Sequence, residues 1–161
     1  MPIYMQYDSG KIKGDVTAKG HEDWIELASF GWGVGRGIRT RTGKVADRES
    51  SAPCVSEVAV TKELDTATVG LLQESLTGQG VWAQVDFCRT EEGKLEVYLS
   101  YLMENCMISG YAVNSGGDRP SESLSLNFTA IECKVIPTGE AGTNGNSSSV
   151  TYDLATAAAA A

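Results

Sequence analysis

Of the side chains that usually drive catalysis, this chain has one imidazole. His21 is the only histidine among 161 residues, so any Ser-His-Asp or Cys-His arrangement would have to use it. It stands between Gly20 and Glu22 in a polar stretch, which reads as a surface loop rather than a general base. The four cysteines, Cys54, Cys88, Cys106 and Cys133, are separated by 34, 18 and 27 residues, without a CxxC pair. Tetrahedral zinc sites usually draw ligands from closely spaced pairs, so no metal site is expected. No disulfide framework is expected either, because no Sec-type signal precedes the body of the chain. Cys88, Cys106 and Cys133 fall inside strand-like runs and read as small reduced hydrophobes. The 21 acidic residues supply carboxylates in number, but no spacing that would pair two of them. No catalytic, cofactor-binding or metal-binding residue emerges, and no cofactor is expected.

Two glycine-containing stretches resemble binding motifs. Gly31-Trp32-Gly33-Val34-Gly35-Arg36-Gly37 lacks the GxGxxG spacing, and no GKS or GKT follows it. Glycine at alternate strand positions instead permits close approach by another backbone or subunit. The expectation is that Ser29, Gly31 and Gly33 form a small-residue face, opposite Phe30 and Trp32, that looks onto a lumen or a neighbour. The second stretch, Gly116-Gly117-Asp118-Arg119-Pro120, reads as a structural turn: its glycines permit positive φ and Pro120 sets the start of the next strand.

Charge is unevenly spread. The formal net charge is −8, yet residues 36–48 hold Arg36, Arg39, Arg41, Lys44 and Arg48 against Asp47 alone, a net +4. The remainder is therefore −12, from eight basic and twenty acidic side chains. An acidic chain is a poor match for nucleic acid, and no aromatic residue is interleaved in the basic run. No run approaches the roughly 18 apolar residues of a membrane span, so no membrane insertion is expected.

The elements that would carry these residues are mostly strands. Period-two alternation runs through residues 2–8, 24–34, 55–62, 81–88, 95–103 and 107–113. Glu91-Glu92-Gly93-Lys94 reads as a hairpin turn. From Ser121 onward the apolar parity shifts between Phe128 and Ile131, which implies a bulge or a change of buried face. One helix is expected over about 65–77, with Val69, Leu72 and Leu76 as its apolar stripe, Asp65 as N-cap, Leu64 and Val69 as a staple, and Gly78 at its end. Residues 35–53 are polar and too long for an ordinary turn, so they read as a protruding loop. Residues 138–149 read as a Gly/Asn/Ser linker. The fold expected is mainly β: a small barrel or sandwich of two packed sheets with one flanking helix. The domain would span 1–137, followed over 138–161 by the linker, a short possible strand and an alanine-rich tail.

Ile12-Lys13-Gly14-Asp15-Val16, Trp24-Ile25-Glu26-Leu27 and Phe30-Gly31-Trp32-Gly33 resemble the opening of the haemolysin-coregulated protein (Hcp) family of type VI secretion. Val60-Thr61-Lys62-Glu63-Leu64-Asp65, Ile108-Ser109-Gly110-Tyr111 and Gly116-Gly117-Asp118-Arg119-Pro120-Ser121-Glu122-Ser123-Leu124-Ser125-Leu126-Asn127-Phe128 extend the likeness to residue 137. Ala130 stands where the family's pattern has a lysine. The resemblance implies a structural protein rather than an enzyme. It implies homohexameric rings that stack into a tube, effector proteins carried in the lumen, and partners in the spike protein and contractile sheath. It also implies residence in the bacterial cytoplasm followed by Sec-independent release. The basic loop would then meet an acidic face of the next ring. The alternatives are a small-ligand-binding β-barrel, or a small enzyme resting on His21 and unplaced carboxylates.

Overall fold

The computed structural model describes residues 1–40, 42–43, 48–137 and 146–161. In chain order the strands are β1 (Ile3–Tyr7), β2 (Ile25–Leu27), β3 (Ser29–Gly31), β4 (Val34–Gly35), β5 (Ile38–Thr40), β6 (Arg48–Ser50), β7 (Cys54–Val55) and β8 (Val58–Glu63). Helix α1 (Thr68–Thr77) follows, then β9 (Val81–Glu91), β10 (Lys94–Asn114), β11 (Ser121–Asn127), β12 (Ala130–Val135), β13 (Ser148–Asp153) and β14 (Ala158–Ala160). Among the described residues the fold is mainly β, with two main sheets, two short two-stranded pairs and one α-helix, as the alternation implies.

Strand β10 joins the two layers. Its first half pairs with β9 on one side and β12 on the other, giving the order β2-β1-β9-β10-β12-β13-β14. Its second half pairs with β11, and β8 and β3 complete a second layer. Register shifts between Val97 and Leu99 and between Met103 and Cys106 bend this strand, as bulges do. The sequence divided β10 in two because the bulge at Glu104–Asn105 interrupts the alternation. The core lies between the layers and includes Met5, Tyr7, Val58, Val60, Val85, Met103, Leu124 and Leu126. Glu92 and Gly93, both at positive φ, form the two-residue turn between β9 and β10.

The parity shift near Phe128 is a change of layer. Chain 121–127 pairs with β10 and β8, whereas 130–135 pairs with the other half of β10. β11 buries the alternate residues Glu122, Leu124 and Leu126, whereas β12 buries the adjacent Ala130 and Ile131, so two burial patterns were superimposed in one run.

The helix starts at Thr68, after a turn closed by Thr68 N–H donating to the Asp65 carbonyl. Asp65 caps that turn instead, its Oδ1 accepting from Ala67 N–H at 3.0 Å. The buried side is also different from the expected one. Ala67 and Leu71 enter the core, while Val69, Leu72 and Leu76 of the expected stripe, and Leu64 of the expected staple, are exposed. Local polar contacts and a close approach of Ile12 to Gly70 set this rotation, overriding the apolar stripe. Gly78 does end the helix, its N–H donating to the Glu74 carbonyl at 2.8 Å.

The described residues of the long segment form two short strand pairs, β4 with β7 and β5 with β6. Beyond the 138–145 stretch, which lies outside the described residues, the chain returns to the first layer as β13 and β14. The terminal alanines thus form an edge strand.

Candidate functional site

Strand β3 is the edge of the second layer, where Ser29 faces Thr61 and Gly31 faces Ala59 on β8. Phe30 points the other way, stacking on Tyr101 at 4.9 Å and meeting Phe87 edge-on at 5.3 Å. Trp32 meets Tyr101 edge-on at 5.8 Å. Ser29, Gly31 and Gly33 are exposed, and a Cβ added at either glycine would touch nothing within 4 Å.

This small-residue face continues across the sheet. The registers align Ser29, Thr61, Ser123 and Ala112 in one row, and Gly31, Ala59, Ser125 and Gly110 in the next. Four strands therefore present short side chains on the side away from the core. Period-two alternation in Ser121–Asn127 carried this signal, but joining the rows required the pairing.

On the long segment, Arg36 and Arg39 are exposed, and Arg48 pairs by its backbone with Thr40. Arg41 and Lys44 lie outside the described residues. The turn Gly116–Pro120 lies between β10 and β11, with Gly117 at φ +109° and the Asp118 carbonyl accepting from Ser115 Oγ at 3.1 Å. It is fastened to the approach to α1: Arg119 Nε donates to the Leu64 carbonyl at 2.9 Å, and Leu64 N–H donates to the Pro120 carbonyl at 3.0 Å.

Two buried polar clusters escaped the sequence reading. In the first, Lys62 Nζ donates to Glu122 Oε2, to Asp65 Oδ1 at 2.8 Å and to the Glu63 carbonyl at 2.8 Å. Tyr111 OH donates to Glu122 Oε1, and Thr68 Oγ1 donates to Glu122 Oε2 at 2.9 Å. Burial alone would raise the Glu122 carboxyl, but bonds from Lys62, Tyr111 and Thr68, with the Lys62 charge, hold it below its ordinary value. Tyr111 is pushed up to about 12 by burial and by the carboxylate it faces. The readable clue was parity: Lys62 follows Val58 and Val60, and Glu122 precedes Leu124 and Leu126, on the core-facing side of each strand.

The second cluster corrects the reading of His21. It is buried, not a surface residue, at 6 % exposure. Its Nε2 lies 2.9 Å from Asp86 Oδ2, between Tyr4 and the edge of Trp24, while Asp86 Oδ1 accepts from Ser100 Oγ at 2.6 Å. Cys88 Sγ is 3.8 Å from the same Nε2. A Cys-His-Asp relay needs its thiol and carboxylate on opposite ring nitrogens, and here they share one. Nδ1 has no hydrogen-bond partner among the described residues. Burial, then the Asp86 charge, push the Cys88 thiol up to about 11, which disfavours the thiolate. The cluster clamps the β1–β2 loop onto β9. Nothing in the sequence periodicity linked residue 21 to residue 86.

A cleft of about 360 Å³ lies where Asp15, Glu26, Glu63, Asp65 and Arg119 converge. Val16, Leu27, Ala28 and Leu64 complete its lining, so it mixes charged and apolar side chains, where a small-ligand barrel is expected to have a predominantly apolar interior. Among the described residues no group of three or more His, Cys, Asp or Glu side chains could hold a metal ion. No helix among them is long and apolar enough to cross a membrane.

The family model described as "Type VI secretion system effector, Hcp" matches residues 4–135. This chain belongs to the Hcp family. The Hcp fold recurs in solved structures spanning nearly the whole chain. One, described as a type six secretion system protein, is 24 % identical with a TM-score of 0.87, covering 99 % of both chains. Hcp1 from Salmonella typhimurium is 16 % identical with a TM-score of 0.73, over 96 % of this chain and 95 % of its own. A type VI secretion system effector from Yersinia pestis is 20 % identical with a TM-score of 0.70, over 94 % and 98 %. No curated protein matches the sequence.

Proposed function

We propose that this Hcp-family chain is a structural subunit of a type VI secretion tube. Six copies close a ring, rings stack, and the lumen carries effector proteins. The tube engages a spike protein and a contractile sheath and leaves the cell with its cargo. The observation that carries this reading is the four-strand face running from Ser29 and Gly31 to Ala112 and Gly110. Its short side chains suit a lumen wall or a close neighbour, while the aromatics behind it are committed to the core. The basic segment over 36–48 suits a head-to-tail contact, in which different surfaces of each copy meet.

The test is charge reversal on that segment. Arg39→Glu with Arg41→Glu is expected to stop rings from stacking while leaving single rings intact, as read by sedimentation velocity. Stacking that survives both changes would show the segment to be only a solvated protrusion.

A further inference from the structure

Trp82 is the one tryptophan left outside the packed parts of the fold. It is 50 % exposed, whereas Trp24 and Trp32 are part-buried and meet His21 and Tyr101 edge-on. Beside it, on the outer side of the first layer, is a pocket of about 150 Å³ lined by Gln6, Ser9, Trp82, Ala83, Gln84 and Leu102. The strand pairings build it. Gln6 on β1 and Leu102 on β10 both face Gln84 on β9, and Trp82 stands two residues before Gln84 on the same side of that strand. Positive φ at Asp8, Ser9 and Gly10 turns the chain at the end of β1 and leaves Ser9 at the border. No charged side chain lines the pocket.

We infer that this pocket binds a neutral sugar ring. Gln84 uses both amide hydrogens within the protein, its Nε2 donating to Asp86 Oδ1 at 2.9 Å and to Ser100 Oγ at 3.4 Å. That orients its Oε1 as a fixed acceptor, and no donor reaches this oxygen among the described residues. The Gln6 amide, which lies against Gly10, and the Ser9 hydroxyl likewise have no hydrogen-bond partner among the described residues. Open donors and acceptors thus surround an exposed indole, with Ala83 and Leu102 adding apolar surface. A ligand that fits needs an apolar face for the indole, hydroxyls for the amides and no charge. A pyranose has all three: its C–H face lies on the aromatic ring and its hydroxyl edge reaches Gln6, Ser9 and Gln84. The volume is below the roughly 300 Å³ at which drug-sized ligands are held, so one ring enters rather than a chain of them. A nucleobase would also stack, but it commonly carries phosphate, which a chain of net charge −8 repels. The pocket lies on the first layer, away from the small-residue face, and does not depend on the tube reading.

The test is fluorine NMR on the full chain with fluorotryptophan at Trp24, Trp32 and Trp82. Glucose, galactose and N-acetylglucosamine are the probes, and adenosine represents the competing class. Saturable movement of the Trp82 signal by at least one sugar is expected, with the Trp24 and Trp32 signals in place. Trp82→Ala assigns that signal, and saturation transfer to the ring protons of the sugar reads binding in its absence. Affinity should fall roughly tenfold in Trp82→Ala and severalfold in Gln6→Ala, and Trp82→Tyr, which keeps an aromatic ring, should retain most of it. Circular dichroism should be unchanged in Gln6→Ala and Trp82→Tyr, so the comparison survives if Trp82→Ala folds poorly. No saturable shift with any of the sugars, a shift with adenosine alone, movement of Trp24 or Trp32 without Trp82, or unchanged affinity in the folded variants Trp82→Ala and Gln6→Ala would overturn the site.

Discussion

Lys62 and Glu122 are directly opposed across β8 and β11, and both are completely buried. Two full charges inside a sandwich are tolerable because Asp65, Thr68, Tyr111 and the Glu63 carbonyl satisfy their remaining donors and acceptors. The cluster also joins four parts of the fold: β8, the start of α1, β10 and β11. It fixes which side of the helix faces inward, and so which side is left outside.

Removing one charge from this pair should be costly. Lys62→Met leaves Glu122 buried without its cation, and a loss of about 3–5 kcal/mol is expected in chemical denaturation. Adding Glu122→Leu should recover most of it, because an apolar pair replaces the ionic one. A double variant no more stable than Lys62→Met would mean that the pair is not the source of the loss.

The same cluster sets a pH window. Glu122 is held below its ordinary value of 4.5, so its contribution is present above that value and lost as pH falls through the lowered one. Tyr111 is raised from 10.0 to about 12, so its contribution is present below 10 and lost as pH rises towards 12. Denaturation midpoints should therefore be flat in between and fall at both ends. In Glu122→Gln the part of the acid fall due to this carboxylate should be absent.

Thiol reactivity should follow burial. Cys54 is exposed, Cys133 half-buried, and Cys88 and Cys106 buried, with thiols pushed up to about 11 and about 12 respectively. A maleimide at neutral pH should label Cys54 first, and Cys88 and Cys106 only on unfolding, as read by peptide mass spectrometry. Labelling of Cys88 at the rate of Cys54 would contradict the buried clamp around His21.

The small-residue face makes its own prediction. Gly31→Trp adds a side chain where even a Cβ meets nothing within 4 Å, so stability should change by no more than about 0.5 kcal/mol. If the face lines the lumen or a neighbour, co-purification of effector proteins with the assembled protein should fall sharply. Unchanged retention would remove this face from the contact.

What the sequence made readable was what depends on neighbours along the chain. The strands, the Glu92–Gly93 turn, the approximate helix and the inward side of Phe30 all follow from period, turn chemistry and local spacing. The rotation of α1 does not, because Thr68 must find Glu122 across 54 residues before Leu71 rather than Leu72 is chosen for the core. His21 was misplaced for a similar reason. Its burial depends on Asp86, Tyr4 and Trp24, and a loop has no periodicity to report them. Of the proposed contact residues, Gly31 was readable singly, but the sheet-wide face was not, because registers between four strands are invisible in one of them.

The central claim is assembly, and mass tests it most directly. Size-exclusion chromatography with light scattering on the purified chain should give a mass near six protomers, or a multiple of it where rings stack. A single protomer mass across the accessible concentration range would contradict the account.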